Sequence, residues 1–87
     1  MSKVLKKESF SSMNNWIDVN EKLPDDSVEV LGLFQYDKRK LIDIVSFSTG
    51  YDGIRRWYFE CPHIATSYKM NEQDIKHLIK WMPMPAY

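Results

Sequence analysis

The sequence predicts an α+β domain, a small antiparallel sheet of three to four strands with one short helix packed on it. Three observations carry that expectation. The runs 28–36, 41–48 and 54–61 are rich in Val, Ile, Leu and aromatic residues, with polar or Gly-containing breaks between them. Residues 71–79 offer a capping side chain followed by apolar positions at helical spacing. A chain of 87 residues has room for one core only.

Residues 1–14 carry Lys3, Lys6, Lys7 and Glu8 among Ser and Asn, with Val4, Leu5, Phe10 and Met13 as apolar breaks. They read as a flexible N-terminal arm, because weakly patterned termini rarely repay the entropy of ordering. Residues 15–87 then form a single small domain. Trp16, Ile17, Val19 and Leu23 can reach a core from a turn or irregular segment, and Pro24 stops any helix before it. Asp25, Asp26 and Ser27 read as a turn, since these side chains bond to nearby backbone.

Residues 28–36 are apolar on both faces in places and predict a central strand. Asp37, Lys38, Arg39 and Lys40 suit a four-residue hairpin loop, and 41–48 return as the second strand. Gly50 and Gly53 give the next turn its freedom in φ. In the third strand, alternation sets Arg55, Trp57 and Phe59 on one face and Arg56, Tyr58 and Glu60 on the other. The first set is the more apolar and is expected to face the core.

Residues 62–70 show no period and read as loop. Asn71 can cap a helix whose third residue is Asp74. Ile75, Leu78 and Ile79 share a helical face, yet 78–82 also read as an apolar strand. The expected compromise is one or two helical turns from about Glu72, passing into that strand. Pro83 and Pro85 remove backbone donors and end the ladder, while Trp81 is the expected anchor of a thin core.

Twelve basic and twelve acidic residues cancel, which disfavours both a general nucleic-acid binder and an acidic nucleic-acid mimic. A single cysteine excludes an internal disulfide framework. No apolar run approaches membrane-span length and no signal-peptide core is visible, so a soluble, cytoplasmic protein is expected, with no membrane partner.

Chemistry-bearing residues are sparse. Cys61 and His63 stand two apart and His77 follows, but a nucleophile needs an oriented base, and Pro62 interrupts the strand between them. The same three residues lack the paired spacing of a zinc site. Asp25, Asp26 and Glu29 read as solvated turn acids rather than a catalytic pair. Residues 71–74 lack the glycine and ligand spacing of a calcium loop, and Gly50 and Gly53 precede no strand-to-helix phosphate cradle. Lys38, Arg39 and Lys40 lie at one hairpin tip while Arg55 and Arg56 lie by the opposite turn, so these cations are expected not to form one patch. No catalytic residue, metal ligand or cofactor is assigned.

Two blocks resemble a known family. Trp16, Leu23 and Pro24, followed by acidic residues and a Val-rich strand, match the opening of domain-of-unknown-function family 551. Trp81, Met82, Pro83 and Pro85 match its Trp-Met-Pro-Leu-Pro type ending. The family usually places His before that Trp, whereas Lys80 stands here, so no role of that His carries over. The resemblance covers about residues 16–85 and implies a phage or prophage setting without a mechanism.

The expected function is therefore that of a small phage or prophage accessory protein binding a host or phage protein, inhibition of a host defence or host enzyme being one case. A nucleic-acid-associated module using Arg, Lys and aromatic residues is the alternative, and a Cys–His enzyme a remoter one. Tyr51, Arg56 and Tyr58 are the expected partner-binding residues, because Tyr and Arg combine contact area with hydrogen bonding.

Overall fold

A computed structural model describes residues 15–85. The arm expected over 1–14 lies outside them. The chain runs β1 (Ile17–Asp18), β2 (Val30–Tyr36), β3 (Arg39–Thr49), β4 (Arg55–Cys61), a 3-10 turn at Pro62–Ile64, β5 (Thr66–Lys69), α1 (Glu72–His77) and β6 (Leu78–Pro83). The strands form one antiparallel sheet in the order β1-β6-β2-β3-β4-β5.

The expected α+β domain with three to four strands is thus corrected to a mostly β domain with six strands among the described residues. Both unforeseen strands lie at sheet edges. β1 is two residues long, too short for alternation to show in sequence. β5 reads Thr-Ser-Tyr-Lys, and as an edge strand it has no need of an apolar face. The loop expected over 62–70 is therefore a 3-10 turn followed by that strand, with Ala65 in the left-handed region at φ 50° between them. The irregular segment expected at 16–24 contains β1, with Ile17 opposite Trp81.

The first hairpin is also tighter than expected. β3 begins at Arg39, so Asp37 and Lys38 alone form the turn, and Arg39 pairs with Tyr36. At the other end of β2, Val28 stays outside the strand and half-exposed. The transition from helix to strand falls at Leu78. Asn71 accepts a bond from the Asp74 N–H at 2.8 Å, and Asp74 Oδ2 answers the Asn71 N–H at 3.4 Å, closing a capping box.

Register assigns the two faces. Val30 pairs with Val45, Val45 with Phe59, and Phe47 with Trp57, which places these residues together on one side. Val30, Phe34, Val45, Trp57, Met70, Leu78 and Trp81 form the core, with Ile17, Val19, Tyr36, Phe47 and Phe59 packed against it. The helix contributes no buried residue to this core, and Ile75 on it is 40% exposed. The short helix does pack on the sheet, against β2 and β6, but six residues make too few turns to cover a sheet of this width. Much of that work falls to the segment before β2, where Pro24 is buried and Val19 N–H donates to the Ile79 carbonyl at 3.1 Å.

Gly32 sits in the middle of the core face. A Cβ there would stand 2.9 Å from Val45 Cγ2 and 3.1 Å from Leu78 Cδ1. The missing side chain is what lets β3 and β6 side chains close over β2.

Candidate functional site

On the opposite face, Leu31 pairs with Ile44 and Leu33 with Ile42, while Ser46 pairs with Tyr58, Ser48 with Arg56 and Glu60 with Ser67. One half of this outer face is aliphatic and the other is polar. The polar half ends at the β3–β4 turn in a groove of about 560 Å³, lined by Ser27, Glu29, Ser48, Thr49, Gly50, Tyr51, Tyr58, Glu60 and Ser67.

A hydrogen-bonded network floors this groove. Ser46 Oγ donates to one Glu60 carboxylate oxygen and Ser67 Oγ to the other, both at 2.6 Å. Ser48 Oγ lies 2.7 Å from Ser46 Oγ, within hydrogen-bond reach. Ser46 is only 1% exposed, so its hydroxyl needs these partners. The Glu60 carboxylate is thereby fixed in place across three strands. Among the described residues, two carboxylates, Glu29 and Glu60, contribute to the lining, and no basic side chain does.

The three residues expected to bind a partner are set around the same turn. Tyr51 stands at its tip, fully exposed. Tyr58 lies half-buried on the groove wall; a Cβ on Gly50 would come within 3.1 Å of its hydroxyl, so glycine gives the phenol its room. Arg56 is more constrained than expected. Its Nη1 donates to Asp52 Oδ1 at 2.9 Å and its Nη2 to Asp52 Oδ2 at 2.7 Å. This two-pronged bond, aided by the Ile54 N–H, holds the Asp52 carboxyl well below the usual range. Arg56 therefore braces the turn that presents Tyr51.

Sequence reasoning missed a second brace. Asp26, expected to be a solvated turn acid, reaches β3: the Thr49 hydroxyl and N–H both donate to its carboxylate at 2.9 Å, and Arg55 Nε lies 3.8 Å away. The Thr49 hydroxyl, with further help from its N–H and from Arg55, lowers the Asp26 pKa against the opposing effect of desolvation. Arg55 itself lies over the Phe47 ring at 4.5 Å and donates to the carbonyls of Pro24 and Phe47, each at 2.9 Å. Alternation did place Arg55 on the core face. Its carbonyl partners, remote in sequence, left no signal.

The remaining candidates do not converge. Cys61 closes β4 and His63 sits exposed in the 3-10 turn. His77 ends α1, with Nδ1 3.1 Å from the Gln35 carbonyl and its ring 4.4 Å from that of Tyr36. His77 is half-buried because the short helix sets it against β2. Lys38, Arg39 and Lys40 lie at the far end of the sheet from Arg55 and Arg56.

The family model described as protein of unknown function (DUF551) matches residues 15–86. The chain belongs to this family. No curated protein and no solved structure matches it.

In this DUF551 domain the two blocks that carry the resemblance meet in space. Leu23, Pro24, Trp81 and Pro83 line one small cavity beside Val30. Trp81 Nε1 donates to the Lys22 carbonyl at 2.8 Å, satisfying the one polar atom of a side chain that is 6% exposed. The Leu-Pro and Trp-Met-Pro motifs are thus two halves of one structural clasp, joined to the groove by the segment that follows Pro24, in which Ser27 and Glu29 line the groove.

Proposed function

We propose that this DUF551 domain is a binding module that engages a partner protein through the groove at the β3–β4 turn, as a small phage or prophage accessory protein acting on a host or phage protein. The observation that carries this reading is the fully exposed Tyr51 beside an acid-lined groove. An aromatic ring held out in solvent by an ion-paired turn gives large contact area at small entropic cost, the property that makes Tyr common at binding hot spots.

The lining favours a segment of the partner rich in donors or bearing a cationic side chain. Glu29 and Glu60 supply charge, and the Tyr51 and Tyr58 rings supply π-faces for an ammonium or guanidinium group. The same carboxylates would repel phosphate, and the Lys38–Arg39–Lys40 cluster lies at the other end, which counts against the nucleic-acid alternative. Cys61 closes β4 and His63 lies in the exposed 3-10 turn, and neither lines the groove, which favours the binding reading over the Cys–His alternative. Covering a partner's surface is enough to inhibit it, so blocking a host defence protein or host enzyme requires no chemistry from the domain.

The test is quantitative affinity capture from host lysate, with wild-type, Tyr51→Ala and Glu60→Gln baits and an Ile42→Ser bait as a control on the aliphatic half. A partner retained by wild type and the Ile42 variant but lost from both groove variants is expected. Equal retention by all four baits would remove the groove from the account.

A further inference from the structure

The sheet ends at β1 on one side and at β5 on the other. β1 is only two residues long, and a strand so short is one of the ways an edge resists pairing. β5 carries little such protection. It holds no proline, its ladder with β4 runs without a shift of register, and Ser67, Tyr68 and Lys69 are exposed. Among the described residues, no strand lies on its outer side. The helix that follows packs against β2 and β6, away from this edge.

Two observations fix which backbone groups point outward. Met70 N–H donates to the Trp57 carbonyl at 3.1 Å, so Met70 turns its backbone toward β4, and by alternation Tyr68 and Thr66 do the same. Ser67 and Lys69 therefore direct their N–H and C=O groups away from the sheet. The β3–β4 turn agrees. Gly50 N–H donates to the Ile54 carbonyl at 3.0 Å, which makes Ser48 with Arg56 and Ser46 with Tyr58 the pairs that face one another across β3 and β4. Trp57 and Phe59 are left to face β5.

We propose that β5 is where a second copy of the chain pairs, antiparallel about a two-fold axis at Tyr68. Ser67 then falls opposite Lys69 of the second copy, and Lys69 opposite its Ser67, so the outward N–H and C=O groups of both residues find partners. Tyr68 falls opposite its own copy at the non-hydrogen-bonded position, where side chains come closest and aromatic pairs stabilise a sheet. Tyr68 is 53% exposed, and its ladder neighbour Phe59 packs against the core. The pairing thus carries the aromatic row across the junction.

Charge selects the same register. Glu60, Ser67 and the second copy's Lys69 would lie in one row on the outer face, about 10 Å from end to end at two strand spacings. Serine is small, so an extended lysine spans it to reach the Glu60 carboxylate, and the symmetry makes this contact twice. An axis at Lys69 would set two lysines opposite each other. An axis at Ser67 would set Lys69 opposite Ala65, where the strand has given way to a left-handed turn at φ 50°. The lysine arrives level with Ser67, whereas Tyr58 and the β3–β4 turn lie further along β4, so Tyr51 stays open in the pair. The contact shares Glu60 with the groove and does not rest on the groove's binding role.

Sedimentation of the full chain, with Lys69→Glu and Lys69→Pro variants, tests it. Wild type is expected to shift with concentration from 10.4 kDa toward twice that mass. Lys69→Glu sets a carboxylate toward Glu60 of the other copy at both ends and should raise the dissociation constant roughly tenfold. Proline is tolerated at an edge position whose N–H faces solvent, so Lys69→Pro should lose the dimer while a dilute sample keeps the wild-type melting temperature. Hydrogen exchange on the wild type needs no variant. The Ser67 and Lys69 amides should gain protection as concentration rises, with those of Tyr68 and Met70 unchanged. A wild-type monomer up to about 1 mM, a Lys69→Pro protein that still dimerises, a Lys69→Glu protein that dimerises as tightly as wild type, or protection independent of concentration would each overturn the proposal.

Discussion

At Gly32 one carbon atom decides the sign of a substitution. Replacing a strand-interior glycine with alanine ordinarily stabilises by about 0.5–1 kcal/mol, by lowering the entropy of the unfolded chain. Here the new methyl would stand 2.9 Å from Val45 Cγ2 in a core that has little slack. Overpacking costs about 1–3 kcal/mol, so Gly32→Ala should lower the melting temperature. Adding Val45→Ala should cost less in that background than in wild type, because the two sites share the same space. Strict additivity in thermal melts would contradict this. Asp26 and Asp52 govern the acid limb. Both carboxyls titrate below their ordinary range when folded, so their contributions are complete above the unfolded pKa of about 4 and are lost as pH falls through the folded values. The melting temperature should therefore fall below about pH 4, and less steeply in an Asp26→Asn, Asp52→Asn double variant. An identical fall in both proteins would mean that other carboxylates set the limb.

Among the elements, β6 does the most. It lies between β1 and β2, and it carries both Leu78 and Trp81 into the core. Truncating the chain before Trp81 would remove a side chain whose loss alone costs about 3–5 kcal/mol, comparable with the stability of a small domain. Such a protein should show no cooperative melt; an unchanged melting temperature would overturn the role given to β6. The helix-to-strand switch at Leu78 was legible because Asn71 and Asp74 announce a cap, while the following apolar run is too long for that helix alone. β4 was legible because its alternation is strict. β1 and β5 were not, since a two-residue strand has no period and an edge strand has no buried face to fill. The turn at Asp37 and Lys38 was read as four residues because basic side chains look like loop when their strand pairs on one side only. The groove itself was only half visible. Tyr51, Arg56 and Tyr58 stood out by residue type, but Glu60, Ser46 and Ser67 converge from three strands, and that depends on a register no local pattern reveals.

For the molecule as a whole, the family motifs and the proposed binding groove are built from different residues. The motifs that identify the DUF551 family form the Leu23–Pro24–Trp81–Pro83 clasp, whereas the groove is built from the β3–β4 turn and the polar half of the outer face. Among the described residues, no helix is long and apolar enough to cross a membrane, and no three His, Cys, Asp or Glu side chains converge as metal ligands. The groove is therefore the feature on which the functional reading depends, and Tyr51 is its cleanest probe, since a fully exposed ring can be removed without opening the core. The decisive measurement is a calorimetric titration of the captured partner into wild-type and Tyr51→Ala protein of equal melting temperature. The account predicts a loss of about 2 kcal/mol, roughly thirtyfold in affinity, for the variant. Equal affinity for the two proteins would contradict it.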